Sequence, residues 1–113
     1  MQINETRERG VVIVAPEGRV DSTTADQLER HLVGLVGSGE RKIVVDLSGV
    51  EYISSAGLRV MLALAKRMKD ARGALALCAL PDPVRTVFNL AGFLPLFAVD
   101  VSRADAVTRV AGP

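Results

Sequence analysis

Two adjacent serines, Ser54 and Ser55, are the residues of this sequence best placed to do chemistry. They precede Ala56-Gly57 and then a segment whose apolar residues recur at helical spacing, so both hydroxyls are predicted to lie at a helix N-terminus. A serine there can accept a backbone N–H and stabilise the helix by about 1 kcal/mol. The same position tolerates a phosphate, because a helix N-terminus offers free N–H groups and a positive dipole end. The pair therefore predicts either a helix cap or a phosphorylation site.

Enzyme chemistry has little support in the sequence. His31 is the single histidine, so a metal site of several imidazoles is impossible, and no Gly-x-Ser-x-Gly elbow is present to position a serine nucleophile. Phosphate-loop and dinucleotide-binding fingerprints are also absent from the sequence. Cys78 lies in an apolar run, 74–80, which predicts a buried and unreactive thiol. We therefore predict no catalytic residue, no cofactor, no metal site and no enzyme activity.

The elements on either side must position the two serines. Before them, Ile43-Val44-Val45 is β-branched and too short for a helix, which predicts a strand buried on both faces. After them, the helical period predicts a helix from about Ala56 to Arg72, with Gly73 as its C-terminal stop. The other predicted elements are a strand at 11–15 with a weaker strand around Ile3, a helix from Ala25 to about Gly37, a strand at 74–80, a helix capped by Asp82 and ended by Gly92, a strand at 96–99, and a helix from Ser102 to Val110.

This alternation of strands and helices predicts an α/β domain with a mixed central sheet of about four to five strands covered by about four helices. The chain has 113 residues, of which 49% are hydrophobic, enough for one core but not for two. We therefore predict a single domain spanning 1–113, with frayed ends at about 1–2 and 111–113.

Charge and hydropathy narrow the classes of partner. There are 14 Lys and Arg residues against 13 Asp and Glu, a net charge of +1, which gives no electrostatic footprint for nucleic acid or an anionic membrane. The N-terminus lacks the pattern of a signal peptide, and no apolar run approaches the roughly 20 residues that span a bilayer. The expectation is a soluble, cytoplasmic monomer that binds neither nucleic acid nor membrane.

Three segments of the chain resemble one known family. The run from Val45 to Leu58, which contains both serines, is similar to the signature of the STAS domain (sulfate transporter and anti-sigma factor antagonist), in its free-standing bacterial form, the anti-sigma factor antagonist. The turn at 18–21 and the segment at 83–93 resemble that family's approach to the first helix and its third helix. The segments occur in the family's order and with matching lengths between them, so the resemblance covers nearly the full length.

The resemblance implies a partner-switching mechanism. In that family the unphosphorylated antagonist binds an anti-sigma factor, which is also a serine kinase with a histidine-kinase-like ATP site, and so frees a sigma factor. The kinase phosphorylates a serine at the start of the second helix, and a PP2C-type phosphatase reverses this. The matching position is Ser55. Because this chain has Ser54 where many phosphorylated members carry Asp, and Ala56 where they carry Ser or Thr, Ser54 remains the alternative site, and phosphorylation of neither serine is also possible.

The resemblance also implies a partner surface around the second helix and the loop at 18–24. The residues assigned to it are Asp21, Ser22, Thr23, Ser54, Ser55, Ala56, Gly57 and Arg59. Two other classes of function stay open. One is a STAS scaffold or accessory subunit of a signalling or transport complex that is not phosphorylated. The other is nucleotide binding, for which this sequence supplies no phosphate-binding loop.

Overall fold

The computed structural model describes residues 1–112, which form a six-stranded mixed β-sheet and four α-helices. The predicted α/β fold is confirmed, with one strand more than expected. Pro113 lies outside the described residues, so the predicted domain limits and frayed ends stay predictions. The elements are β1 (Gln2–Glu8), β2 (Val11–Val20), α1 (Ala25–Gly37), β3 (Lys42–Asp46), β4 (Val50–Ile53), α2 (Ser55–Asp70), β5 (Ala74–Cys78), α3 (Asp82–Leu90), β6 (Val99–Asp100) and α4 (Arg103–Ala111).

Strand β2 organises the sheet. It pairs antiparallel with β1 through a tight turn in which Arg9 and Gly10 both have positive φ, and the sheet continues in the order β1-β2-β3-β5-β6 with parallel pairs from β2 onwards. Residues 12–14 of β2 pair with β3, whereas residues 18–20 pair with β4 after a register shift at Gly18. The ends of β2 and β4 therefore lie side by side directly before α2.

Helices cover both faces of the sheet. Val12 and Val14 belong to the larger core, under α1, α2 and α3, while Val11 and Ile13 belong to a smaller core beneath α4. Successive side chains of a strand point to opposite faces, so β2 must be apolar at every one of these positions. This explains why the sequence of β2, β3 and β5 shows continuous apolar runs.

Several predicted element ends differ from the structure. Strand β2 continues to Val20 instead of ending at 15, β5 ends at Cys78 instead of 80, and α3 begins at Asp82, which therefore does not cap it. Helix α2 stops at Asp70, and Arg72, with φ of 58°, takes the left-handed conformation expected of Gly73. Gly73 is instead needed for space, because a Cβ there would lie 2.7 Å from Met68 Cε and 2.9 Å from the carbonyl oxygen of Arg41. The predicted strand at 96–99 shortens to Val99–Asp100. Its place is taken by a 3₁₀ turn at Leu94–Leu96, where Pro95 has no N–H to donate to a sheet.

Cys78 is buried at the end of β5, which confirms the predicted environment of the thiol. Burial raises the pKa of this thiol to about 12. We expect iodoacetamide to leave Cys78 unmodified in the native protein at neutral pH and to alkylate it fully in denaturant, as measured by intact mass. Rapid alkylation under native conditions would contradict the burial.

Asp46 joins the sheet to α4. It is only 4% exposed, and its carboxylate lies 2.7 Å from Arg103 Nε and accepts the Ser48 N–H at 2.9 Å. Burial alone would raise the pKa of Asp46, but the hydrogen bonds from Ser48 and the Arg103 guanidinium outweigh it and hold the pKa below its ordinary value of 3.8. The charged carboxylate therefore stabilises the folded state.

Asp46→Asn is expected to lower the free energy of unfolding by about 1–3 kcal/mol at neutral pH, because it removes a buried, hydrogen-bonded charge. The pKa of Asp46 is lower in the folded state than its ordinary value of 3.8. The stabilisation is therefore complete at pH values above 3.8 and is lost as the pH falls through the folded-state pKa. Urea titrations of wild type and variant should converge in acid. The exposed Glu51→Gln is the control and should change stability by less than about 0.5 kcal/mol. A deficit in Asp46→Asn that persists unchanged in strong acid would contradict this account.

Candidate functional site

Ser54 and Ser55 have different structural roles. The Ser54 N–H donates to the Val20 carbonyl at 2.8 Å, which extends the pairing of β4 with β2 by one residue. Ser54 is also the N-cap of α2, and its hydroxyl accepts the Gly57 N–H at 3.5 Å. Ser55 is the first residue of the helix and is exposed. The capping function predicted for the pair thus belongs to Ser54, whereas Ser55 is exposed and does not cap the helix.

Gly57 allows the start of α2 to pack closely against the ends of β2 and β4, because it has no Cβ. A Cβ at this position would lie 2.6 Å from Ile53 Cγ1, 2.7 Å from Val20 Cγ1 and 3.1 Å from the Val20 carbonyl oxygen. No larger residue fits unless the helix or these neighbouring groups shift. Because Gly57 is buried, its predicted place at the partner surface can only be indirect: it sets where Ser55 lies.

The loop before α1 is held by its own hydrogen bonds. The Asp21 carboxylate accepts Thr23 Oγ1 at 2.7 Å and the Thr23 N–H at 2.9 Å, and these bonds hold the pKa of Asp21 below its ordinary value. Thr24 Oγ1 donates to the Arg19 carbonyl at 2.8 Å and accepts the Asp21 N–H at 3.0 Å. The loop is therefore pre-formed, with Ser22 and Thr23 exposed.

A groove of about 320 Å³ runs between α1 and α2 beside the serines. It brings together three residues predicted for the partner surface, Ser22, Ala56 and Arg59. Its lining from the α1 side is Ser22, Ala25, Asp26 and Glu29, and from the α2 side Ala56, Arg59 and Val60. Asp26 and Glu29 were not predicted as part of this site. The sequence indicates that they lie on an exposed face of α1, but it does not indicate that α2 lies opposite that face.

Comparison with known proteins agrees with this architecture. The sequence model of the STAS domain matches residues 2–106. The chain belongs to the STAS domain family. A relative from Bordetella bronchiseptica, "Putative anti-sigma factor antagonist BtrV", is 44% identical over 106 residues, which cover 94% of this chain and 91% of the relative.

Solved STAS structures share the fold. A crystal structure of an anti-sigma factor antagonist from Mycobacterium paratuberculosis superposes with a TM-score of 0.90 at 27% identity, covering 98% of this chain and 94% of that one. The anti-sigma factor antagonist SpoIIAA in its unphosphorylated form gives a TM-score of 0.84 at 20% identity, covering 99% of this chain and 98% of that one. At that identity the second likeness concerns the fold alone.

Two surface residues of this STAS domain were missed by the sequence analysis. Arg19 Cζ lies 4.5 Å from the centre of the Tyr52 ring, and Arg19 Nε lies 3.6 Å from Asp21 Oδ2. Tyr52 is 39% exposed. The parallel register of β2 and β4 places these two residues opposite each other, and sequence spacing does not reveal that register. An exposed Tyr and Arg beside the loop at 21–24 are of the types that dominate protein interfaces, so they extend the candidate surface.

Among residues 1–112, no group of three or more His, Cys, Asp or Glu side chains is placed to hold a metal ion. Within the same residues, no helix is both long and apolar enough to cross a membrane.

Proposed function

We propose that this protein is an anti-sigma factor antagonist that binds its anti-sigma factor when Ser55 is unmodified and releases it when Ser55 carries a phosphate. The observation that carries the proposal is the separation of roles between the two serines. Ser54 caps α2, while Ser55 is exposed at the first helical position, in the segment that lines the groove between α1 and α2. The naming of the 44% identical relative supports the same function.

A phosphate on Ser55 changes the surface and not the fold. It adds a charge of about −1.5 to −2, which the N-terminus of α2 stabilises through its free N–H groups and dipole. No cap is lost, because Ser54 supplies it. The STAS fold is compatible with the modification, since SpoIIAA has also been solved in its phosphorylated form, with a TM-score of 0.75 to this chain at 19% identity. The charge therefore acts on whatever lies against the helix.

The chemistry is supplied by the partners. The anti-sigma factor acts as a serine kinase with a histidine-kinase-like ATP site: the Ser55 oxygen attacks the γ-phosphorus of ATP, the bond to ADP breaks, and the hydroxyl proton passes to a base of the kinase. A PP2C-type phosphatase hydrolyses the phosphate. The antagonist itself contributes an acceptor hydroxyl and a docking surface, as a monomer and without enzyme activity of its own.

Mass analysis of the protein purified from its own cells tests the proposal. The expected result is a phosphopeptide containing phosphate on Ser55 in part of the population, which disappears after treatment with PP2C-type phosphatase. The phosphate-free protein, used as bait, should retain an anti-sigma factor that phosphorylates it in the presence of ATP. A protein that is unmodified under all growth conditions and retains no such kinase would refute the switch and favour a constitutive scaffold.

A further inference from the structure

We propose that the anti-sigma factor docks an acidic surface on the exposed basic face of α2, formed by Arg59, Lys66 and Arg67. This inference rests on the proposed function and adds to it the chemistry of the partner and the extent of the contact. It takes the contact surface from the N-terminus of α2, where Ser55 lies, to its last turns.

Basic residues outside α2 mostly have partners within the protein. Four arginines form ion pairs with carboxylates, Arg41 and Lys42 donate to backbone carbonyls, and Arg9 reaches a threonine hydroxyl. The ion pairs are Arg7–Glu40, Arg19–Asp21, Arg103–Asp46 and Arg109–Asp100.

The exposed basic residues of α2 are different. Arg59, Lys66 and Arg67 form no salt bridge with another residue of the described range 1–112. Lys69 of α2 and the exposed Arg30, Arg72 and Arg85 elsewhere also form none within that range, but Arg59, Lys66 and Arg67 are the three that line the groove beside α1 and a neighbouring cleft on α2. Their positive field is therefore not neutralised by direct ion pairs.

Two of these residues, Arg59 and Lys66, lie on the same side of α2 as Ser55. Ser55, Arg59 and Lys66 are spaced by four and seven residues, which places them along one side of an α-helix. Arg59 lines the groove against α1, and Lys66 and Arg67 line a second surface cleft of about 300 Å³. The basic face is thus continuous with the candidate site and offers concave surface at both of its ends.

Charge decides the kind of partner. The second cleft contains one acid, Asp70, so this face carries three positive charges against one negative charge, a balance of +2 in a protein whose net charge is +1. The acids Asp26 and Glu29 lie on the opposite wall of the groove, on α1. An acidic surface of the partner is therefore complementary in charge to α2. It must contact α2 away from α1, because Asp26 and Glu29 would repel it. Such complementarity speeds association and fixes orientation.

This arrangement explains how the phosphate would act. A phosphate on Ser55 is one helical turn from Arg59, the spacing at which opposite charges on a helix interact. It would pair with Arg59 and at the same time repel the acidic surface that Arg59 attracts. The phosphate and the partner therefore compete for the same guanidinium, so the switch does not require the helix to move.

Two double charge reversals, one on α2 and one outside it, test the proposal. Lys66→Glu with Arg67→Glu reverses the basic face, whereas Arg72→Glu with Arg85→Glu makes the same change of net charge outside α2. Arg72 is exposed just beyond the end of α2, and Arg85 is exposed on α3. Association and dissociation rates are measured by surface plasmon resonance against the anti-sigma factor kinase retained in the experiment above, at about 0.05 M and about 0.5 M salt.

We expect the first pair to weaken binding by about tenfold or more at low salt, mainly through slower association, with a smaller deficit at high salt. The second pair should stay within about twofold of wild type. The charge-neutral Lys66→Gln with Arg67→Gln should fall between wild type and the first pair. Thermal unfolding of each variant shows that it is folded.

Other results would overturn the inference. If both charge-reversed pairs weaken binding equally, net charge alone matters. If neither does, the basic face is ordinary solvated surface. If anionic vesicles bind through Lys66 and Arg67 while the kinase complex is unaffected, the face contacts a membrane. If wild-type protein binds no anti-sigma factor at all, it is the proposed function itself that fails.

Discussion

Ser55→Asp is expected to weaken the complex with the anti-sigma factor by about 100-fold or more, whereas Ser55→Ala should stay within about threefold of wild type. The aspartate places a permanent negative charge at the first position of α2, where the helix dipole favours it, so the fold should be unchanged. At a contact surface the same charge is desolvated and repels acidic groups. Isothermal titration calorimetry with the purified anti-sigma factor gives both affinities directly.

Ser54→Asp is the matched control for this pair. Aspartate is as good an N-cap as serine, so the variant should keep the helix while placing its carboxylate on the backbone N–H groups of α2. We expect it to lose less than about tenfold in affinity. If Ser54→Asp and Ser55→Asp weaken binding equally, the loss of affinity comes from negative charge anywhere at the start of α2 and not from position 55 in particular. Equal binding by Ser55→Asp and Ser55→Ala would refute the phosphorylation switch.

Gly57→Ala is expected to lower the free energy of unfolding by about 2–3 kcal/mol. Its new Cβ would overlap Ile53 and Val20 side-chain atoms at 2.6 and 2.7 Å, and it would also crowd the Val20 carbonyl at 3.1 Å. That carbonyl accepts the Ser54 N–H, so relief of the clash disturbs a backbone hydrogen bond as well. Urea or guanidinium unfolding, followed by circular dichroism, measures the loss.

Gly34→Ala provides the control, because Gly34 lies within α1 and a Cβ there would meet nothing within 4 Å. Alanine is the better helix former by about 0.8–1 kcal/mol, so this variant should be slightly more stable than wild type. The two substitutions are chemically identical and should act in opposite directions. If Gly57→Ala were also stabilising, α2 would not be packed against β2 as closely as described.

Local patterns were enough to locate the main elements and the two serines. The apolar runs of β2, β3 and β5 follow from burial on both faces, and the apolar spacing after Gly57 identified α2. A helix N-terminus is likewise determined by a few adjacent residues, so the start of α2 at Ser54 and Ser55 was predictable. The resemblance to a known family then singled out Ser55, a choice that only measurement of the phosphate can test.

Features made by distant segments were not predictable in this way. The stacking of Arg19 on Tyr52 depends on the register between β2 and β4, and the acidic wall at Asp26 and Glu29 depends on which helix lies beside α2. The end of α2 was misjudged for a related reason: Gly73 is required by Met68 and by the Arg41 carbonyl, and the latter precedes it by 32 positions (73 − 41). Spacing along the chain carries no information about such contacts.

The division of β2 between two partner strands separates the central sheet from the proposed recognition surface. Residues 12–14 hold the central sheet through β3, whereas residues 18–20 hold only β4 and, through it, the start of α2. Substitutions at the exposed positions Arg19, Ser22, Tyr52 and Arg59 can therefore accumulate without disturbing the central strands. A cell that contains several domains of this kind can keep their signalling pathways insulated from one another by varying this end alone, while every copy keeps the same scaffold.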